Sequence, residues 1–321
     1  MGTRELRVVV AAVDQTADWG VQQIWRWRGY RCHWRVTGPE AGRPLLLLHG
    51  FGASSSHWRR TAPRLGQLGW RVYSLDLLGF GDSEQPARPL SNRLWGSQVC
   101  AFLRQVVQQP AVLIGNSLGG LTALTAAVQQ PQWVHAVAAA PLPDPTLVNP
   151  VPRTVARWKR RWTRRLVRIV LHLLPLELLV PLISRTPLLK LGLQGAYLNS
   201  VAEDRELLAL IARPARRPTA AQALRGMSLG MALRSKATTA PALLHGLQRP
   251  LLLIWGREDR FVPLSIGETI RQQHPAVELA VLDGCGHCPH DEVPERFINV
   301  LMPWLDRNLG DNRPAGDKQR R

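Results

Sequence analysis

The chain has 321 residues, of which 45% are hydrophobic and 20% charged; that excludes a chain of the disordered class and leaves room for one core with an inserted subdomain. Its 41 Lys and Arg against 23 Asp and Glu give a net charge of +18, a surface that favours anionic partners. Four cysteines (Cys32, Cys100, Cys285 and Cys288) and no leader pattern at the start argue against a disulfide scaffold and for thiols in a reducing compartment, not a secreted protein.

In chain order, the opening Met-Gly has Leu6 where a myristoylation signal needs Ser or Thr, and residues 1–24 read as a lead-in. "IWRWRGYRCHWRV" alternates around Gly29 as two short strands. "PLLLLHG" and "WRVYSLDLLG" are continuous apolar runs, the pattern of strands buried on both faces, and "PAVLIGNS" and "VHAVAAAP" repeat it with helical text between. Strand and helix alternating at this spacing predict an α/β fold with a mostly parallel central sheet and helices on both faces. After Pro141 the text becomes proline-punctuated, arginine-rich and helical, which predicts a cap over 145–244 inserted between core segments 25–144 and 245–308. "PLLLIWG", "VELAVLDG" and the helical "DEVPERFINVLMPWLDRNL" complete the core, and 309–321 read as a flexible tail. The stretch Ile169 to Ser184 is broken by Pro175, Glu177 and Pro181 and falls short of the roughly 20 apolar residues of a spanning helix, so no transmembrane segment is expected.

"GNSLGG" sets Ser117 between Gly115 and Gly119, after a buried strand and before a helix. In such a sharp turn the glycines stand where any Cβ would strike the neighbouring strand and helix, and the hydroxyl projects at the carboxyl edge of the sheet. Serine needs a base, and the base needs an orienting acid. His287 follows a predicted strand in "LDGCGHCPHDEVPERF", and "LLLIWGREDRFVP" puts Asp259 just past the end of the preceding strand. Taken together the three predict a triad, Ser117 as nucleophile, His287 as base and Asp259 as acid, with Asp144 after the earlier strand as the alternative acid. "HGFG" at 49–52 supplies small residues at a strand end, and the backbone N–H groups of Phe51 and Leu118 are the expected oxyanion donors. "CGHC" at 285–288 resembles a redox motif, but it lies in the last loop and its central histidine already has a role. No cofactor motif and no metal-ligand spacing accompanies these residues, so no cofactor and no metal is expected.

On these residues the chain resembles the α/β-hydrolase superfamily over 25–308. More narrowly, "DLLGFGDS", "GNSLGG", "WGREDRFVP" and above all "GHCPHDEVPE" are similar to the pheophytinase and chlorophyll dephytylase group. The resemblance implies the α/β-hydrolase fold and hydrolysis of a phytyl ester of chlorophyll or pheophytin, with Ser117, Asp259 and His287 in the same roles. The arginine-rich cap departs from that group.

The expected activity is therefore cleavage of a lipophilic carboxylic ester. Carbon-carbon bond hydrolases and cofactor-free perhydrolases share this elbow and are the enzymatic alternatives; epoxide hydrolases attack through aspartate where this chain has Ser117. A basic nucleic-acid-binding protein with an inactive hydrolase core is the non-enzymatic alternative, although no nucleic-acid-binding signature accompanies the charge and no specific nucleic acid is expected. Residues 153–236 hold seventeen Arg or Lys and four acids. At helical spacing over 153–174, Trp158, Trp162, Leu166, Ile169 and Leu173 fall on one stripe, and Arg157, Arg160, Arg161, Arg164, Arg165 and Arg168 on the other sides. That composition predicts docking of the cap on an anionic membrane surface, with the protein cytoplasmic or peripheral on an intracellular membrane, a photosynthetic one if the phytyl ester is its substrate. In the competing arrangement the tryptophans cover the active site and the arginines stay solvated.

Overall fold

The computed structural model describes residues 19–147, 162, 165–167, 169–171, 173–185 and 187–309. Eight strands form one sheet in the order β1-β2-β4-β3-β5-β6-β7-β8. The antiparallel strands lie at one end of the sheet, β1 (Val21–Trp27) at its edge and β2 (Tyr30–Thr37) next to it. Their turn, Arg28 at φ 52° and Gly29 at φ 85°, has both central residues in the left-handed region, as a two-residue hairpin requires. The other six, β3 (Pro44–Leu48), β4 (Arg71–Leu75), β5 (Ala111–Gly115), β6 (Val134–Ala139), β7 (Leu251–Gly256) and β8 (Glu278–Leu282), run parallel. This is the architecture expected from the sequence.

The unbroken apolar strands follow from burial on both sides. Leu46 and Leu48 of β3, Leu113 of β5 and Leu253 and Trp255 of β7 point into one core layer; Leu45, Leu47, Ile114, Leu252 and Ile254 point into the other. Helices α1 (Ala62–Gln67), α2 (Asn92–Phe102) and α3 (Leu118–Gln129) connect strands of the first half. The cap contributes α4 (Leu176–Arg185), α5 (Pro187–Gln194), α6 (Arg205–Ala215) and α7 (Ala220–Ala232). Then come α8 (Ala240–Gly246), α9 (Leu264–Gln273), α10 (Pro289–Glu292) and α11 (Pro294–Leu309).

Two boundaries differ from the sequence expectation. The limit at 244/245 falls inside α8, whose Ala240, Leu243 and Leu244 pack in the core layer of α2 and α3, so that helix belongs with the core. The start at 25 is late: Trp19 is already buried in the other layer, and its carbonyl accepts from Arg35 at 3.2 Å. No single helix among the described residues is long and apolar enough to cross a membrane. Trp158, Arg157, Arg160, Arg161, Arg164 and Arg168 of the expected amphipathic helix lie outside the described residues.

The cap is held to the core by a polar clamp. Arg59, its side chain 8% exposed, reaches Asp204 at 2.6 Å and Glu206 at 2.6 Å at the start of α6, and Asp291 of α10 at 3.2 Å. Tyr197, after α5, donates its hydroxyl to Asp291 at 2.9 Å and meets His57 Nε2 at 2.7 Å.

Candidate active site

Ser117 occupies the turn between β5 and α3 with φ 52° and ψ −117°, a conformation a non-glycine residue adopts only when its surroundings enforce it. The glycines around it show how. A Cβ on Gly115 would lie 2.2 Å from the carbonyl carbon of Gly119, and one on Gly119 would lie 2.0 Å from the Leu48 carbonyl oxygen. Strand, elbow and helix touch backbone to backbone there, and only glycine fits.

His287 stands in the loop after β8 and Asp259 in the loop after β7. His287 Nδ1 meets Asp259 Oδ2 at 2.8 Å, while Asp259 Oδ1 accepts the N–H groups of Phe261 at 2.8 Å and Val262 at 2.9 Å. The carboxylate is buried, satisfied on both oxygens, and holds one ring nitrogen, leaving Nε2 for the cavity side. Ser117 and His287 line the same cavity. Asp144 is elsewhere engaged: it pairs with Arg234 at 2.7 Å and caps α8 through the Ala240 N–H at 2.7 Å.

Leu118 is the first residue of α3, so its N–H has no acceptor within the helix. The loop of Phe51 lies beside the elbow: a Cβ added to Gly50 would come within 2.5 Å of Asn116 Oδ1 and 3.5 Å of Ser117 Cβ. The Phe51 ring itself is 62% exposed and meets Phe80 edge-on, so any part it plays at the elbow belongs to its backbone.

Several residues that set this geometry were not singled out from the sequence. His49 is fully buried; its Nδ1 contacts the Gly50 carbonyl at 2.8 Å and its Nε2 accepts the Leu77 N–H at 3.1 Å, which fixes a neutral imidazole under the Phe51 loop. Burial holds its pKa below the usual histidine value. Asn116 donates through Nδ2 to the Ala140 carbonyl at 2.6 Å and to the His287 carbonyl at 3.0 Å, tying the elbow to the histidine loop. Glu292 accepts from the N–H groups of Gly286 at 2.7 Å and of Leu198 and Asn199 at 2.8 Å. His287 N–H donates to Ala196 at 2.7 Å. The "GHCPHDEVPE" segment is thus a joint between histidine loop and cap, and Asp291 and Glu292 within it were the available signal.

Cys285 and Cys288 are buried free thiols, and burial raises both pKa values, the opposite of what thiol exchange requires. Donor atoms of His33, Asp76 and Asp82 lie within 4.8 Å of one another. Asp76 already accepts from the Ser55 N–H at 2.5 Å and the Asp82 N–H at 2.8 Å, and Asp82 pairs with Arg213. Their oxygens organise the turn after β4.

The cavity has a volume of about 530 Å³, within the usual range of small-molecule sites. Its floor is Gly50, Asn116, Ser117 and His287; its walls are Phe80, Val180, Ile183, Leu188, Leu193, Leu224, Met227 and Phe261. No Arg, Lys, Asp or Glu is among its described lining residues.

A serine at a sharp strand-to-helix elbow on the carboxyl edge of an eight-stranded, mostly parallel sheet, lining one cavity with a histidine hydrogen-bonded to an aspartate, defines the class. The chain belongs to the alpha/beta hydrolase family, whose model matches residues 45–300. It is 27% identical to a chloroplastic pheophytinase of Arabidopsis thaliana, over 81% of this chain and 60% of that one. It is 26% identical to a pimeloyl-[acyl-carrier protein] methyl ester esterase of Vibrio cholerae, over 86% of this chain and 98% of that one. Among solved structures, the 2-hydroxy-6-oxo-6-phenylhexa-2,4-dienoate hydrolase of Rhodococcus sp. strain RHA1 superimposes with a TM-score of 0.67 at 22% identity, covering 88% and 97% of the two chains.

Proposed function

We propose that the protein is a serine hydrolase that cleaves an uncharged, lipophilic carboxylic ester, with the phytyl ester of chlorophyll or pheophytin as its foremost candidate substrate. The observation that carries this reading is the cavity: Ser117 and His287 on the floor, apolar walls, and no charged side chain among the described lining residues. Such walls favour a long hydrocarbon chain, since burying each methylene is worth about 0.8 kcal/mol. In the proposed reaction His287 Nε2 takes the Ser117 proton as Oγ attacks the ester carbonyl carbon. Phe51 and Leu118 N–H groups receive the oxyanion. The carbon-oxygen bond to the alcohol breaks, His287 returns the proton to the leaving alcohol, and water then releases the acid from the acyl-enzyme. Asp259 keeps the imidazole in the tautomer this sequence needs.

Carbon-carbon bond hydrolysis is the second reading, supported by the likeness to the dienoate hydrolase. A dienoate carries a carboxylate, and an anion in this cavity would lack a cationic partner among the described lining residues, a costly burial. The test is to incubate the purified protein with p-nitrophenyl esters of rising chain length, pheophytin, chlorophyll and that dienoate. Ester turnover that rises with chain length and vanishes in Ser117→Ala is expected. Turnover of the dienoate alone would overturn the ester assignment.

A further inference from the structure

The two cap helices over the cavity are apolar on the outside as well as the inside. Val180 and Ser184 of α4 and Leu189 and Leu193 of α5 face the cavity. On the same helices Leu178 is 73% exposed, Leu182 55% and Leu191 72%, and none of the three lines the cavity. Apolar side chains on the outward as well as the inward side exceed what covering the cavity requires, and a cluster of bare leucines marks an interaction surface rather than ordinary exposure.

This outer surface is continuous with the way in. Ile183, Leu188, Phe51 and Phe261 both line the cavity and stand exposed, so the mouth opens within the apolar patch. Phe261 joins the end of α5, where a Cβ at Gly195 would come within 3.0 Å of its ring. Leu166, Ile169 and Leu173, just before α4 in the chain, are exposed too.

The charges around the patch say what kind of partner covers it. Arg165, Arg185 and Lys190 are exposed on the same segments, whereas Glu177, the acid of α4, is neutralised by Arg225 at 2.9 Å. The sequence of 153–236 holds seventeen Arg or Lys against four Asp or Glu. Bare leucines framed by cations match the two layers of an anionic bilayer, acyl chains beneath and phosphate headgroups at the level of the arginines. We infer that the outer face of α4 and α5 docks on an anionic lipid surface, with the cavity mouth set against the membrane so that a lipophilic substrate enters without crossing water. Docking rests on the patch itself and not on the ester assignment.

The experiment uses the full chain and extruded vesicles of phosphatidylcholine alone or with one-third phosphatidylglycerol, sedimented at low and at high salt. Two variants are compared: Leu178→Ser/Leu182→Ser/Leu191→Ser, and Arg185→Gln/Lys190→Gln. Thermal melting shows that they fold, hydrolysis of a short soluble p-nitrophenyl ester is expected to be unchanged, and gel filtration reports oligomeric state. Wild-type protein should bind the phosphatidylglycerol vesicles at low salt and lose part of that binding at high salt. The leucine variant should lose at least about tenfold in partitioning, and the charge variant should lose its preference for anionic vesicles. Equal, negligible binding of wild-type protein to both vesicle types at low salt overturns the proposal. So does a leucine variant that binds like wild type, or a wild-type dimer that the leucine variant dissolves while neither form binds vesicles. Loss of ester turnover with vesicle binding intact would strike the activity and leave docking standing.

Discussion

His287 Nδ1 lies 2.8 Å from Asp259 Oδ2, and the other oxygen of that carboxylate is occupied by two backbone N–H groups. An acid so fixed can accept from the ring but cannot rotate away. Asp259→Asn should therefore present the wrong tautomer and lower turnover about 10⁴-fold. Asp144→Asn, which touches Arg234 and α8, should change turnover little and stability more. Steady-state kinetics on one p-nitrophenyl ester separates the two; the reverse order would move the acid to the strand before the cap.

Ser117 should be the residue that a fluorophosphonate labels, found by peptide mass mapping. Ser117→Ala and His287→Ala should each cost several orders of magnitude in turnover and leave roughly 10³-fold over water. Cys285→Ser should retain hydrolysis, because burial keeps that thiol protonated.

The elbow leaves no space for a methyl group. Gly119→Ala would set a Cβ 2.0 Å from the Leu48 carbonyl oxygen and should cost roughly 3 kcal/mol in denaturant melts. Gly29→Asn is the control: its turn has φ 85° but nothing within 4 Å, and asparagine tolerates the left-handed region, so a change of about 0.5 kcal/mol or less is expected.

Removing Arg59 leaves Asp291, a buried carboxylate, with Tyr197 and a longer 3.8 Å contact to Arg60, so Arg59→Ala should destabilise by about 3 kcal/mol and expose the cap to limited proteolysis before the core. Arg307→Ala breaks only a solvent-exposed pair with Glu278 and should stay within about 1 kcal/mol. Equal effects would deny the clamp its role.

Three buried histidines also give stability a direction in pH. Burial lowers the His57 pKa to about 4, and holds His49 and His290 below the usual histidine value of 6.5. Between those values the unfolded chain binds protons that the folded chain refuses, so stability must fall as pH drops from about 6.5 towards 4. For His57 that amounts to about 3 kcal/mol. Melting temperatures should decline through this window, and less steeply in His57→Gln.

The core strands were legible because both faces of the sheet are buried: a run such as Leu45 to Leu48 has no polar alternation to hide it. The elbow was legible because its glycines are a steric necessity. Asp259 over Asp144 followed from placing the acid on the strand before the histidine loop, and the hydrogen bond to His287 lies there. What sequence spacing could not supply were contacts between distant segments. Asn116 reaching the His287 carbonyl, Tyr197 between His57 and Asp291, and Arg59 gathering three acids depend on how the cap folds back. Likewise α8 reads as cap by its position after the insertion, and only its packing against α3 assigns it to the core.

The His287 N–H is held by the carbonyl of Ala196, a cap residue just past α5, and Glu292 grips the next cap amides with the same carboxylate that steadies Gly286. His287 and the entrance wall therefore share one anchor. Only the short stretch from the end of α5 to Ala196 and one hydrogen bond separate the cap helix from the histidine loop. Under the proposed reaction, a cap graft from a relative should shift kcat along with the choice of substrate, because it would replace the residues that hold the histidine loop.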